Sequence, residues 1–486
     1  MVSPLVVKGA AIALVSVMVV GVLGRIESLV RERRWRGQEA VRSVEQAHAA
    51  AQTVIGPLLA RDCTEEWDEV SGTGAERHAS VERRSQTLVE APSKLVVDGS
   101  SRGDVRYRGL FKVNTYVAKA TAVAEFPGLA ALQPAREHAG SRLACGAMRV
   151  IATLSDLRGL RTASTTADGA TLAVAPGTGL DKYPHGLHAT LPQGRDAEAR
   201  VGEPLSVTMV LEFVGTAQLA WVPAAGETRM TLASDWPHPS FGGQFLPLDR
   251  TVRADGFKAT WAVSALATAA PAEVLGGAAP CASATPESAD EDGTPTGVGA
   301  SPGKPGGCLD TFAVSFIDPV NPYVLSDRAV KYGLLFIALT FVCVGLIEVL
   351  SGRRVHPVQY ALVGLALALF FLLLLSLSEH LPFVVAYGVA AGACAVLLGF
   401  YGTFMLGRAG AGLAFGAGIA SLYGLLYVLL QMEQDALVIG ALMLFAALAA
   451  VMVLTRRVDW YALFQRMQLP ATASSIKPGA VEAARQ

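Results

Sequence analysis

The hydropathy of the chain changes character three times, and each change predicts a different kind of element. Leu5 to Leu23 is an apolar run interrupted near its start only by Lys8. A hydrocarbon core of about 30 Å needs roughly 20 apolar residues in a helix, so this run predicts a membrane anchor. No A-x-A site closes it, which argues against a cleaved signal peptide. From Arg25 to about Ala60 the chain is rich in Arg, Glu, Gln and Ala, with Val30, Val41, Val44 and Ile55 spaced loosely as a helix face. That spacing predicts that the first helix continues outward as a solvated stalk.

From about Thr87 to Phe316 the period shortens to two. VRYRGLFKVNTYVAKATAVAEF, MRVIATL, LSVTMVLEF, AQLAWVP, RMTLAS, FKATWAV and TFAVSF alternate apolar with polar residues between Gly, Pro, Asp and Asn breaks. Many short strands of this kind predict an antiparallel, sandwich-like β domain. The stretch from Ala269 to Cys308 has almost no apolar bulk, so it predicts a disordered insertion within that domain.

After Asn321 the pattern turns apolar again. Gly333 to Leu350, Val358 to Leu377, Phe383 to about Leu406, Gly412 to Leu430 and Ala436 to Leu454 read as five further spans. The expected fold class is therefore an α-helical membrane protein with a large all-β, sandwich-like extracytoplasmic domain and six transmembrane helices, one N-terminal and five C-terminal. The expected division is an anchor over 1–24, a helical stalk and lead-in over 25–86, a β-rich domain over 87–322 with its insertion at about 270–309, a helical membrane domain over 323–460 and a tail over 461–486.

Composition sharpens this division. The chain has 486 residues, 52% of them hydrophobic, which is too apolar for an ordinary soluble protein of this size; its 17% of charged residues excludes a wholly embedded one. The formal net charge of -1 gives no argument for nucleic-acid binding, and neither a zinc-finger spacing nor a basic tract supplies one.

Orientation follows from Lys and Arg in the short loops. Arg353 and Arg354, Arg408, and Arg456 and Arg457 fall in alternate loops, whereas the loops around His380 and from Gln431 to Asp435 hold neither residue type. The alternation predicts cytoplasmic termini and a β domain on the outer side of the membrane. The cluster Arg25, Arg31, Arg33, Arg34 and Arg36 runs against it.

DRAVKYGLLFIALTF at Asp327, HPVQYALVGLALALFFLLLLSLSEH at His356 and TRRVDWYA at Thr455 resemble the CreD family of bacterial inner-membrane, cell-envelope integrity proteins. GPLLA at Gly56, SDLRGL at Ser155, APGTGL at Ala175 and SDWPHPSFGGQFLP at Ser234 fit the same family in the same order. The resemblance implies an envelope role and brings no reaction, cofactor or catalytic residue with it.

The candidate functional or partner-contact residues are the polar groups at the ends of the spans: Arg328, Lys331, Glu348, His356, Gln359, Glu379 and His380. An ionisable group at membrane depth has a task or a partner, so Glu348, Glu379 and His380 are also the residues a transporter or flippase would use. Ser376, Glu379 and His380 invite a hydrolase reading, but neighbours on a helix point about 100° apart. Trp236, His238 and Phe241 lie in a proline-stiffened aromatic loop that either contacts a ligand or plugs the corner of the β core. His185 and His188 have no third ligand near them in sequence, and Ser155 to Gly159 reads as a strand end with a local Asp156–Arg158 pair. No P-loop or dinucleotide fingerprint is present, and no enzyme activity, metal or cofactor is expected. The expected partners are the lipid bilayer and an envelope component or membrane protein.

Six cysteines remain. Cys343 and Cys394 fall in spans. The other four allow three pairings, of which Cys281 with Cys308 and Cys63 with Cys145 is the expected set.

Overall fold

The computed structural model describes residues 4–71, 78–192, 203–280, 308–318, 322–351, 355–432 and 436–456. The chain divides into two compact units, one of Met1–Arg36 with Val320–Gln486 and the other of Gly37–Pro319. Helix α1 (Pro4–Ala47) begins in the first and ends in the second.

Among the described residues the second unit is built on seventeen strands. They are β1 (Gln52–Ser71), β2 (His78–Glu90), β3 (Lys94–Arg108), β4 (Phe111–Phe126), β5 (Arg142–Cys145), β6 (Arg149–Leu154), β7 (Leu160–Ala167), β8 (Ala170–Leu172) and β9 (Val174–Pro176). The series continues with β10 (Gly186–Thr190), β11 (Leu205–Thr216), β12 (Gln218–Trp221), β13 (Glu227–Ser234), β14 (Pro239–Gly243), β15 (Asp249–Arg253), β16 (Gly256–Ser264) and, after helix α2 (Ala270–Gly276), β17 (Phe312–Phe316). One sheet has the order β14-β17-β12-β1-β6-β10-β9, with β2 and β5 also on β1; the other has the order β15-β16-β13-β3-β4-β11-β7-β8.

The period-two pattern explains why the sheets pack. On β3, Leu95 and Val97 are buried while Lys94 is exposed; on β11, Leu205, Val207, Met209, Leu211 and Phe213 all point inward. Their inward residues share one apolar core with Val54, Leu59, Val150, Leu154, Trp221 and Phe312 from the other sheet. At about 25 cal/mol per Å² of apolar surface, such a core is the main source of the domain's stability. The sandwich-like arrangement expected from the sequence is what forms.

Four details depart from the sequence reading. The strands begin at Gln52, so β1 and β2 occupy the segment expected to be stalk and lead-in, and Ile55 lies on a strand. The sheets are mixed, because β12 pairs with β1 and β13 with β3 in parallel; long intervening chain makes such pairings accessible. The insertion opens with α2, whose Ala270 and Val274 are buried against the sheet, and residues 281–307 lie outside the described part.

The fourth departure concerns the apolar helices of the first unit: α3 (Pro322–Ser351), α4 (Pro357–Ser378), α5 (Phe383–Leu406), α6 (Ala409–Gln431) and α7 (Ala436–Thr455). Among the described residues five helices, not six, are long and apolar enough to cross a bilayer: α1 and α3 to α6. The expected sixth span falls on α7, whose apolar stretch among the described residues is the shorter Val438–Val453. The tail expected over 461–486 lies outside the described residues.

Helix α1 contributes Val19, Leu23, Ile26 and Val30 to this unit, a stripe at helical spacing that packs with Phe336, Val363, Phe370 and Phe371. Helices α5 and α6 meet through small residues. A Cβ on Gly416 would come within 2.8 Å of the Gly399 Cα, and one on Gly412 within 2.3 Å of the Thr403 nitrogen. Such close backbone approach is the usual route to helix association in lipid, where hydrophobic transfer gives no drive. Replacing Gly416 by Val should therefore force the pair apart and cost about 1–3 kcal/mol, read as a lowered melting temperature of the purified full-length protein.

The β unit has an equally specific polar anchor. The buried Glu65 carboxylate accepts from the Ser141 hydroxyl at 2.5 Å and from the Glu137 and His138 N–H groups at 3.0 Å. These bonds, led by that of Ser141, hold its pKa below the ordinary value of 4.5. A carboxyl depressed on folding stabilises above its unfolded pKa and loses that stabilisation as pH falls through the folded value. The melting-temperature gap between wild type and Glu65→Gln should be widest near neutral pH and close progressively below pH 4.5.

Candidate functional site

Within the helical unit, the charged residues of α3 and α4 gather at the ends of the spans. In α3, Asp327 and Glu348 stand 21 residues apart, about 32 Å along a helix. Each is met by a basic residue of α1. Lys8 forms an ion pair with Glu348, and Arg34 lies 3.3 Å from Asp327. The two helices are thus antiparallel, and both ends of their contact are electrostatically closed.

Around Glu348 the closure is nearly complete. Its carboxylate also accepts from the Tyr360 hydroxyl at 3.1 Å and the Val355 N–H at 3.2 Å. His356 and Gln359 belong to the same corner and begin α4 with a capping box. The His356 Nδ1 accepts from the Val358 N–H at 3.3 Å, and the Gln359 Oε1 accepts from the His356 N–H at 3.0 Å. The first turn of α4 therefore supplies its own missing hydrogen-bond partners.

The other end is more extended. Asp327 is buried and lies 3.3 Å from both Arg34 and Lys331, and Glu379 lies 3.3 Å from Arg33. Arg328 is half-buried beside Asp327, whereas His380 is exposed. One oxygen of Asp327 and the Ser326 hydroxyl are buried without a hydrogen-bond partner among the described residues.

The sequence-predicted residues thus fall into two groups within this unit: Glu348, His356 and Gln359 at one end, and Arg328, Lys331 and Glu379 at the other. Lys8, Arg33, Arg34 and Tyr360 complete the groups and were not among them. Their signal was present. Basic residues 8 and 34 in one helix match acids 327 and 348 in another at similar spacing, but only folding reveals the antiparallel match.

The aromatic loop belongs to the β unit. Trp236 is buried, donates its indole N–H to the Ile317 carbonyl at 3.0 Å and meets Phe316 edge-on at 6.2 Å. Phe241 packs on Phe257 and Trp261, with Arg250 over its outer face at 5.8 Å. His238 is exposed. His188 uses its Nδ1 on the Gly177 carbonyl at 2.6 Å, and no group of three metal-ligating side chains occurs among the described residues.

The SDLRGL motif closes the end of α1. The Arg158 guanidinium donates to the Gln46 and Glu45 carbonyls, and the Asp156 carboxylate accepts from the Ala50 N–H at 3.0 Å. Gln52, fully buried, donates to the Asp156 and Val214 carbonyls at 2.8 and 3.1 Å. A cation on the last carbonyls of a helix satisfies groups that have no intrahelical partner. Arg158, through its hydrogen bond and charge, lowers the Asp156 pKa.

Cys63 and Cys145 are disulfide-bonded, directly opposite one another on β1 and β5. Cys308 is also disulfide-bonded, while Cys281, its expected partner, lies outside the described residues. Cys343 and Cys394 are free thiols.

Five membrane-length helices, a charged seal at each end of the α1–α3 contact and a two-sheet domain between α1 and α3 define a multi-pass membrane protein with one large inserted domain. The chain belongs to the CreD family: that family, described as Inner membrane protein CreD, matches residues 4–461. The chain is 33% identical over 439 residues to Inner membrane protein CreD of Escherichia coli (strain K12), covering 90% of this chain and 89% of that protein. Among solved structures, the M1 zinc metallopeptidase from Deinococcus radiodurans aligns over 35% of this chain and 38% of its own at 12% identity, with a TM-score of 0.20. A similarity that low carries no argument about fold or chemistry.

Breaking one member of the Lys8–Glu348 pair leaves the other charge uncompensated. Both side chains are partly exposed, so Lys8→Met or Glu348→Gln should each cost roughly 1–3 kcal/mol after allowance for screening. The double variant should recover part of that loss. Thermal unfolding of the four proteins in one detergent checks the coupling.

Proposed function

We propose that this protein supports the integrity of the cell envelope, its β domain facing the periplasm and recognising an envelope component or partner while the apolar helices anchor it. The observation that carries this reading is the size and build of the inserted unit: a closed two-sheet domain, disulfide-bonded at Cys63–Cys145, held in the chain between two membrane-length helices. Disulfides persist in oxidising compartments, which favours the periplasm. The ion pairs of Arg33 and Arg34 with Glu379 and Asp327 account for basic residues on the outer side of the first span. The N terminus is then cytoplasmic. The C terminus returns there only if α7 also crosses.

A reporter enzyme active only outside the cytoplasm, fused after Val320, should be active. An inactive but well-expressed fusion overturns the orientation, and a second fusion after Thr455 reads the side reached by α7. Envelope function is tested in a strain lacking the protein, by detergent tolerance. Glu348→Ala, Glu379→Ala and His380→Ala should each restore tolerance in proportion to the protein present in the membrane. Loss of tolerance at wild-type protein levels would instead support a transporter or flippase, a reading to which the oxygen of the buried Asp327 that has no hydrogen-bond partner among the described residues gives its one specific support.

A further inference from the structure

The β3–β4 hairpin is the longest two-stranded ladder in its sheet, pairing without a break from Lys94 with Glu125 to Arg108 with Phe111. Its two ends differ in kind. At the Lys94 end the strand is edged by the other members of the sheet, through Glu227 on β13 and Ser264 on β16. Toward the tip, beyond the last β13 partner at Ser101, Arg102 is exposed, and so is every residue from Val105 to Leu110. Tyr107 is 69% and Leu110 53% exposed. Gly109 takes the positive φ of 62° that the tight turn requires.

The segment from Arg102 to Lys112 carries four basic residues and one acidic one. Asp104 pairs with Arg106, and Lys112 pairs with Asp318. Arg102 and Arg108 form no ion pair among the described residues. Large apolar groups interleaved with cations on a projecting turn are poorly suited to open water.

The position of this tip within its own unit says what it meets. Phe111 lies against Gly37, the first residue of the unit, with ring atoms 3.5 Å from where a Cβ would stand. Lys112 reaches Asp318 at 2.7 Å, and Asn114 donates to the Phe316 carbonyl at 3.0 Å. Gly37 continues α1 out of the domain from Arg36, and Asp318 lies four residues before α3 starts at Pro322. The hairpin tip is therefore at the end of the domain where both chain connections to the apolar helices leave it.

We propose that the β3–β4 tip is a lipid-surface contact, with Tyr107 and Leu110 entering the interfacial layer and Arg102 and Arg108 binding the phosphates of anionic phospholipids. Tyr is a residue of the membrane–water interface. Arg reaches phosphate with its guanidinium while its stem covers apolar surface. Anionic headgroups attract basic segments close to the bilayer and lose that attraction within a Debye length. The contact stands whichever envelope component the domain recognises, because it uses one end of the domain and only the lipid in which the protein is held.

The test uses the full-length chain with its two free thiols removed, C343A and C394A, carrying either L110C or L266C. Leu266 is fully exposed and follows Ser264, at the Lys94 end of the sheet, so it is the control for the far end. Each is labelled with an environment-sensitive dye and reconstituted into vesicles of phosphatidylcholine, alone or with phosphatidylglycerol, containing a headgroup-region nitroxide lipid. Quenching at position 110 should exceed that at 266 at least about twofold, as expected for a segment held within the reach of surface attraction. It should rise when phosphatidylglycerol is present, and R102Q/R108Q should abolish the rise. Equal quenching at the two positions, or quenching at 110 indifferent both to phosphatidylglycerol and to R102Q/R108Q, would overturn the proposal. Because all these positions are exposed, the same outcomes can be read in Y107S, which should lower quenching at 110 without touching the arginines.

Discussion

Helix α1 has polar groups along its length and at its end that it cannot satisfy alone, and much of the structure follows from how they are matched. Its Lys8 is met by Glu348, its Arg33 and Arg34 by Glu379 and Asp327, and its last carbonyls by Arg158. In lipid an unpaired charge is expensive, and at a helix end an unpaired carbonyl is costly wherever water is excluded. The same helix that begins in one unit is closed in the other by a side chain more than a hundred residues away.

The two units solve the burial problem differently because their solvents differ. In the β unit, alternate residues turn inward and the removal of apolar surface from water supplies the drive. The outward faces of α5 carry Val384, Val389, Val396, Phe400 and Phe404, which lipid solvates as well as a protein core would. Association of α5 with α6 therefore depends on shape, through Gly399, Gly402, Gly412 and Gly416, rather than on hydrophobic transfer.

Polar groups divide along the same line. Glu65, Gln52 and Tyr116 are buried among strands and each finds backbone or hydroxyl partners: Tyr116 donates to the Gln218 carbonyl at 2.6 Å. The charges of the helical unit pair chiefly with one another across helices. A network made of such pairs restricts which helices can be neighbours, since α1 carries only basic members of these contacts and α3 supplies two acids.

The apolar runs, the alternating strands and the charged span ends were legible in the amino-acid order because each depends on local periodicity alone. A twenty-residue greasy helix and a period-two strand announce themselves without knowledge of their neighbours. The limits of local reading are equally physical. Ile55 belongs to a plausible helical stripe until β6 and β12 offer β1 hydrogen bonds on both sides, and α2 has little apolar bulk until Val274 finds the sheet. Arg33 and Arg34 pair with Glu379 and Asp327, residues distant in the order of the chain. Sequence determined which segments seek lipid and which seek a strand-built core; tertiary structure alone decided which charge answers which, because an ion pair depends on distance in space and carries no trace of it in the order of the chain.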